Sequence, residues 1–177
     1  MERSGRGCVG LYINRSVKMS NEHKRFWEIL DEVEICMVTT ADKGAMRARP
    51  MAAYIDKEAR SIQFVTDGDS AKLMEINADS DICLSFADTG KMLFASVIGK
   101  ATVSRNRALI HQMWGPYCDV FFGSDPATAD VAVIEVHPDF AEYWDNDSSA
   151  VGMAVELARA YFSDDGPDLG PNAKLEM

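Results

Sequence analysis

A chain of 177 residues that is 47% hydrophobic and 26% charged can bury most of its apolar surface in one domain, and is too apolar for bulk disorder. Its formal net charge of -10 excludes a protein whose main partner is a nucleic-acid backbone, because that role needs a broad basic face that releases counterions. The basic groups must therefore act locally.

The first eighteen residues set one acid, Glu2, against Arg3, Arg6, Arg15 and Lys18, a net +3 that leaves -13 for the remainder. Their apolar piece CVGLYI is too short to span a membrane and lacks the small-residue cleavage site of a secretory signal. Residues 1–18 are expected to be a tail or a mis-called start ahead of Met19, residues 19–165 a single domain, and residues 166–177 a polar, Gly/Pro-rich C-terminal tail.

From Asn21 onward Phe26, Ile29, Leu30 and Val33 recur at i, i+3, i+4 and i+7, which predicts a helix capped by Ser20 or Asn21. ICMVTT (Ile35 to Thr40) is a β-branched strand and ADKG a turn. A second strand is expected from Ala45 to Ile55 and a third from Ser61 to Thr66, linked by DKEAR in an antiparallel meander. DGDS then breaks the strand, and AKLMEIN reads as a short helix with Leu73, Met74 and Ile76 available to a core. ICLSFA (Ile82 to Ala87) and MLFASVIGKATVS are strands joined by the turn DTGK, with Gly99 marking a bulge. RNRALIHQMW reads as a helix and GPYCDVFFGSDPATAD as an irregular connection. VAVIEV and FAEYWD are strands, and SSAVGMAVELARAYF is a closing helix with Val151, Ala154, Val155, Ala158 and Phe162 on one face. The pattern is mainly β, of the α+β kind. It suits a six-stranded antiparallel barrel with flanking helices better than a doubly wound parallel sheet.

Cys8, Cys36, Cys83 and Cys118 form no Cys-x-x-Cys pair, and Cys36 and Cys83 lie inside apolar runs, as expected of buried thiols in a reducing cytoplasm. His23, His111 and His137 show no metal-ligand spacing. Arg47 and Arg49 are one residue apart in RARPM and so share one side of an extended strand with Met51, while Pro50 removes a ladder donor and leaves room for something other than a strand. In FVTDGDSAKLMEI, a strand ending in Thr66 turns through Gly68 into a helix start that offers the Ser70 hydroxyl, backbone N–H groups and the Lys72 ammonium. Thr66, Ser70 and Lys72 thus resemble a monophosphate cradle, with Arg49 as an added cation if the two strands pair. The same residues also allow a plain helix cap, a solvated Lys72 and rim ion pairs from the arginines to Asp67 and Asp69. Trp114 and Trp144 suit either stacking on a flat ring or ordinary packing.

Taken in order, ICMVTTADKGAMRARPM, IQFVTDGDSAKLMEI, ASVIGKA and VAVIEVHPDFAEYWD resemble the general stress protein branch of the pyridoxamine 5'-phosphate oxidase-like superfamily of FMN-binding split barrels. The resemblance runs from about Phe26 to the C-terminal end. It implies a split β-barrel homodimer with FMN, or FAD, at the subunit interface. Arg49, Pro50 and Met51 would run beside the flavin, Val65 and Thr66 meet it at a strand end, and Ser70 and Lys72 contact its phosphate. Arg47 joins them by alternation, and Trp114 and Trp144 are candidates for contacts made from the other chain. The implied activity is a flavin-dependent oxidoreductase, against a flavin-sequestering protein or a barrel that holds haem or a deazaflavin. After Trp144 only Arg159 and Lys174 are basic, so the arginine-rich end that grips substrate in vitamin B6 oxidases is missing, which argues against that substrate.

Overall fold

Residues 20–177 are described by the computed structural model, except 124, 147–149, 164, 165, 167 and 169, with backbone alone at 150, 151, 153 and 154. The expected tail or early start at residues 1–18, and the Val151 and Ala154 side chains, lie outside the described residues.

Helix α1 (Asn21–Val33) begins where the Ser20 hydroxyl accepts the His23 N–H at 3.2 Å, and it buries Phe26, Trp27, Ile29 and Leu30 against the sheet. Strands β1 (Ile35–Asp42) and β2 (Ala45–Ala52) form a hairpin whose two turn residues, Lys43 and Gly44, both have positive φ. The strand expected from Ala45 to Ile55 is broken at Ala53, whose N–H donates to the Glu34 carbonyl at 2.7 Å. Beyond the break β3 (Tyr54–Asp56) pairs with β4 (Ser61–Asp67), so the three strands are not one meander. Helix α2 (Ala71–Ala78), β5 (Asp81–Asp88), β6 (Leu93–Ser104), α3 (Arg107–Met113), α4 (Pro116–Phe122), β7 (Val131–Asp145), α5 (Ala150–Tyr161) and β8 (Asn172–Glu176) follow.

Every strand pairing is antiparallel, in the order β2-β1-β5-β6-β7-β4-β3, with β8 added to β7. The two ends of that path, β2 and β3, are separated in the chain by Ala53 alone, so the sheet must curl back on itself. This is the split barrel. Alternation points Cys36, Val38, Ile82, Leu84, Phe86, Ala95, Val97, Ile134 and Val136 inward, to a core shared with α1 and α2. A smaller apolar layer forms where Ile110 and Met113 of α3 cover Val131 and Val133 on the outside of the sheet.

Among the described residues eight strands stand where six were expected. One extra strand comes from the break at Ala53. Another comes from β8 in the expected tail, where Ala173 and Leu175 are buried and pair with Tyr143 and Ala141. VAVIEV and FAEYWD are one continuous strand, β7, and the run read as irregular contains α4. At Gly99 the β6–β7 register shifts, and an added Cβ would collide with the His137 carbonyl oxygen, so the expected bulge is a close backbone approach that only glycine permits. Among the described residues no helix is long and apolar enough to cross a membrane.

Candidate functional site

The turn after β4 is clamped from below. Gly68 donates its N–H to the Asp130 carbonyl at 2.9 Å, and Arg105 bonds both the Gly68 carbonyl at 2.5 Å and the Asp130 carboxylate at 3.0 Å. A side chain at Gly68 would run into that carboxylate. Ser70 takes the N-cap position of α2, yet its hydroxyl makes no capping bond. It accepts instead from the Lys72 ammonium at 2.8 Å, which also donates to the Thr66 hydroxyl at 2.6 Å. Two of the three ammonium donors are so used and the third remains for another acceptor. Burial lowers the Lys72 pKa first and the nearby Arg49 charge lowers it further, against the opposing pull of Asp67 and Glu75.

Beside this turn lies a buried carboxylate. Glu75 is 6% exposed and accepts from the Thr40 hydroxyl at 2.5 Å, Arg49 at 2.5 Å and Arg47 at 3.0 Å. Arg49 also donates to the Thr40 hydroxyl at 2.6 Å and the Arg47 carbonyl at 3.0 Å, while Arg47 lies 3.5 Å from Asp42. Burial raises the Glu75 pKa, but the Thr40 bond and the two arginines outweigh it and hold the carboxyl below its ordinary range. The register Val38↔Arg49 and Thr40↔Arg47 sets both arginines on the side of β2 that matches the buried side of β1, as alternation predicts. Strands β2 and β4 do not pair, contrary to expectation; α2 bridges them, Glu75 holding Arg47 and Arg49 of β2 and Lys72 holding Thr66 of β4.

The turn opens on a cleft of about 370 Å³ walled by Pro50, Met51 and Ala52 of β2, Tyr54, the Val65–Asp67 end of β4, Lys72, and Tyr117, Cys118, Phe121 and Phe122 of α4. Its walls are mostly apolar, with cationic and hydroxyl groups gathered at one end. The Tyr54 hydroxyl lies 3.9 Å from the Cys118 sulfur, and burial, with that thiol beside it, pushes the Tyr54 pKa up to about 12. Cys36 is likewise pushed up to about 12, by burial and by Cys83, as befits an inert core thiol.

Of the residues expected at the site, Pro50, Met51, Val65, Thr66 and Lys72 line the cleft. Ser70 joins it through Lys72, and Arg49 and Arg47 stand behind it through Glu75 and Thr40. The rim ion pairs to Asp67 and Asp69 do not form; the arginines turn to Glu75 and Asp42. Trp114 bonds Asp119 at 2.8 Å and packs on Phe122, one layer behind the cleft wall. Trp144 sits twelve positions along β7 from Ala132, the partner of Thr66, roughly 40 Å of strand path away, so one chain does not bring it to the cleft. Glu75, Tyr54 and the α4 aromatics escaped the sequence reading. The signals were there: Glu75 falls at i+3 from Lys72, and Pro116 after Gly115 is a helix-start pair.

Known proteins resemble this architecture. A protein of Jannaschia sp. CCS1, provisionally assigned as general stress protein 26, superposes with a TM-score of 0.74 at 24% identity over 90% of this chain and 100% of its own. The general stress FMN/FAD binding protein of Xanthomonas citri superposes with a TM-score of 0.64 at 26% identity, over 72% of this chain and 91% of its own. Protein bli-3 of Neurospora crassa is 28% identical over 134 residues, a stretch covering 70% of this chain and 64% of that protein's length. Residues 21–168, most of the chain, match the family described as pyridoxamine 5'-phosphate oxidase like, and with the split barrel in place the protein belongs to that family.

Proposed function

We propose that the protein binds FMN, its phosphate at the Lys72 corner and its ring in the apolar cleft, and uses it as a flavin-dependent oxidoreductase. The observation that carries this reading is Lys72, held by Thr66 and Ser70 at the wall of an apolar cleft with one donor to spare. The residues fit such a group. A phosphate needs two or three charged or hydrogen-bonding donors, for which Lys72, the Ser70 hydroxyl and Arg49 stand ready, and a flat ring needs an apolar slot, which Met51, Val65 and Phe121 offer. FAD shares the ring and the ribityl phosphate position, its phosphate there being part of a pyrophosphate bridge, and a cleft that opens to solvent leaves space for its second nucleotide. Bound flavin supplies hydride and electron transfer. The chain's own part is to grip the phosphate, exclude water with the α4 aromatics, and set a cation near the cofactor.

A homodimer belongs to the same proposal. Ile35, Met37, Ile98 and Trp144 are 47%, 41%, 52% and 37% exposed on the outer face of β1, β6 and β7. Across that face Met37 pairs with Pro50, and Ile35 with Ala52. Since Ile35, Pro50 and Ala52 also line the cleft, a second copy seated on the face would border the cofactor, and Trp144 would meet the partner. Free thiols at Cys36, Cys83 and Cys118 suit a reducing cytoplasm.

Titration of FMN and riboflavin into wild type, Lys72→Ala and Arg49→Ala tests the reading. Both variants are expected to weaken FMN by about tenfold or more and riboflavin far less, the loss of a charge-assisted hydrogen bond. Equal loss for both ligands overturns the phosphate assignment. Flavin-dependent oxidation of NADH or NADPH supports the enzyme; tight binding without turnover makes it a flavin carrier instead, and a haem or deazaflavin spectrum replaces the ligand.

A further inference from the structure

We infer that Glu75 is a positioning residue for phosphate: its carboxylate fixes the Arg49 guanidinium in place as a second cation for the phosphate that Lys72 meets. The inference rests on the flavin reading above and names the feature that makes the site select a phosphorylated ring over the bare one.

A carboxylate at 6% exposure between the buried Leu73 and Ile76 is a costly choice for packing, where an aliphatic side chain would serve. What it does instead is tie three groups. It takes Arg47 on one oxygen, and Arg49 and the Thr40 hydroxyl on the other. Arg49 is thereby held at three points, Glu75, Thr40 and the Arg47 carbonyl, and these use only its two terminal nitrogens. A guanidinium so fixed loses little freedom when it meets an anion.

Arg47, Arg49 and Lys72 bring three positive charges to this corner, and Glu75 is the most buried of the acids that face them. A phosphomonoester carries about -1.5 to -2 near neutral pH. Asp42 and Asp67 also face this corner from the β1 and β4 ends, but both are more solvent-accessible than Glu75 and are better screened. Without Glu75, Arg49 keeps only the Thr40 and Arg47 carbonyl tethers and loses its charge partner.

The test is fluorescence titration of FMN and of riboflavin into the cofactor-free full chain, as wild type, Glu75→Gln, Thr40→Val and Lys72→Ala. Glu75→Gln is expected to raise the FMN dissociation constant about tenfold while riboflavin moves less than about twofold, with Thr40→Val smaller in the same direction. Should Glu75→Gln fail to fold, Thr40→Val, which removes only one tether of Arg49, carries the test. FMN affinity unchanged or tighter in the folded variants, or riboflavin falling in step with FMN, overturns the inference. A selective FMN loss in Lys72→Ala with none in the other two sinks the role of Glu75 and leaves the flavin reading standing. If the wild type takes up neither ligand, or Lys72→Ala weakens both alike, the reading itself falls and the inference with it.

Discussion

Glu75 also makes a statement about acid stability. Its pKa in the folded chain lies below the unfolded value of 4.5, because Thr40 and the two arginines outweigh the effect of burial. A depressed carboxyl contributes stability that is complete above pH 4.5 and drains away as pH falls through the folded value. Urea midpoints of the wild type are therefore expected to decline below that pH, and those of Glu75→Gln to decline less steeply over the same window. Parallel acid limbs would refute the assignment. At this scale the sequence was only partly legible. Arg47, Arg49, Thr66, Ser70 and Lys72 stand out as cations and hydroxyls beside a turn; Lys72 bonds Thr66 and Ser70 at the cleft wall, while both arginines turn to Glu75 behind it. Glu75 did not, since a lone acid in a helix that also supplies Leu73 and Ile76 reads as a solvated face, and only the curl of the barrel carries it under β2.

Among the elements, legibility followed periodicity. Strands β1, β4, β5 and β6 alternate or run apolar for seven residues or more, and appear where period two predicts them. Helix α4 was hidden because PYCDVFF buries only Cys118 and leaves Tyr117, Val120 and Phe121 exposed, so it has no apolar stripe facing a core. Strand β8 shows just Ala173 and Leu175 in a polar stretch, and its pairing with β7 is a long-range fact. The bulge at Gly99 was legible, as a glycine within an otherwise strong strand. Gly99→Ala, which sets a methyl against the His137 carbonyl, is expected to destabilise the chain by about 1–3 kcal/mol, read as a lower urea midpoint at unchanged slope. A midpoint equal to wild type would mean that the two backbones part easily there.

For the whole molecule, the proposed dimer turns on the outer face of β1, β5, β6 and β7. Ile98 stands at its middle, paired with Cys83 on one side and Phe140 on the other. If a second copy covers this face, Ile98→Glu is expected to sediment as a monomer where the wild type is a dimer, and to bind FMN more weakly because the cleft loses its far wall. A variant that stays dimeric places the interface elsewhere. Within each subunit, β7 binds the parts together. One of its edges lies against β6, and the other is divided between β4 at Val131–Val136 and β8 at Phe140–Trp144. Most of that strand is held on both edges, so fraying is expected to begin at the strands paired on one side only, β2, β3 and β8, and β7 keeps its shape until the barrel as a whole gives way.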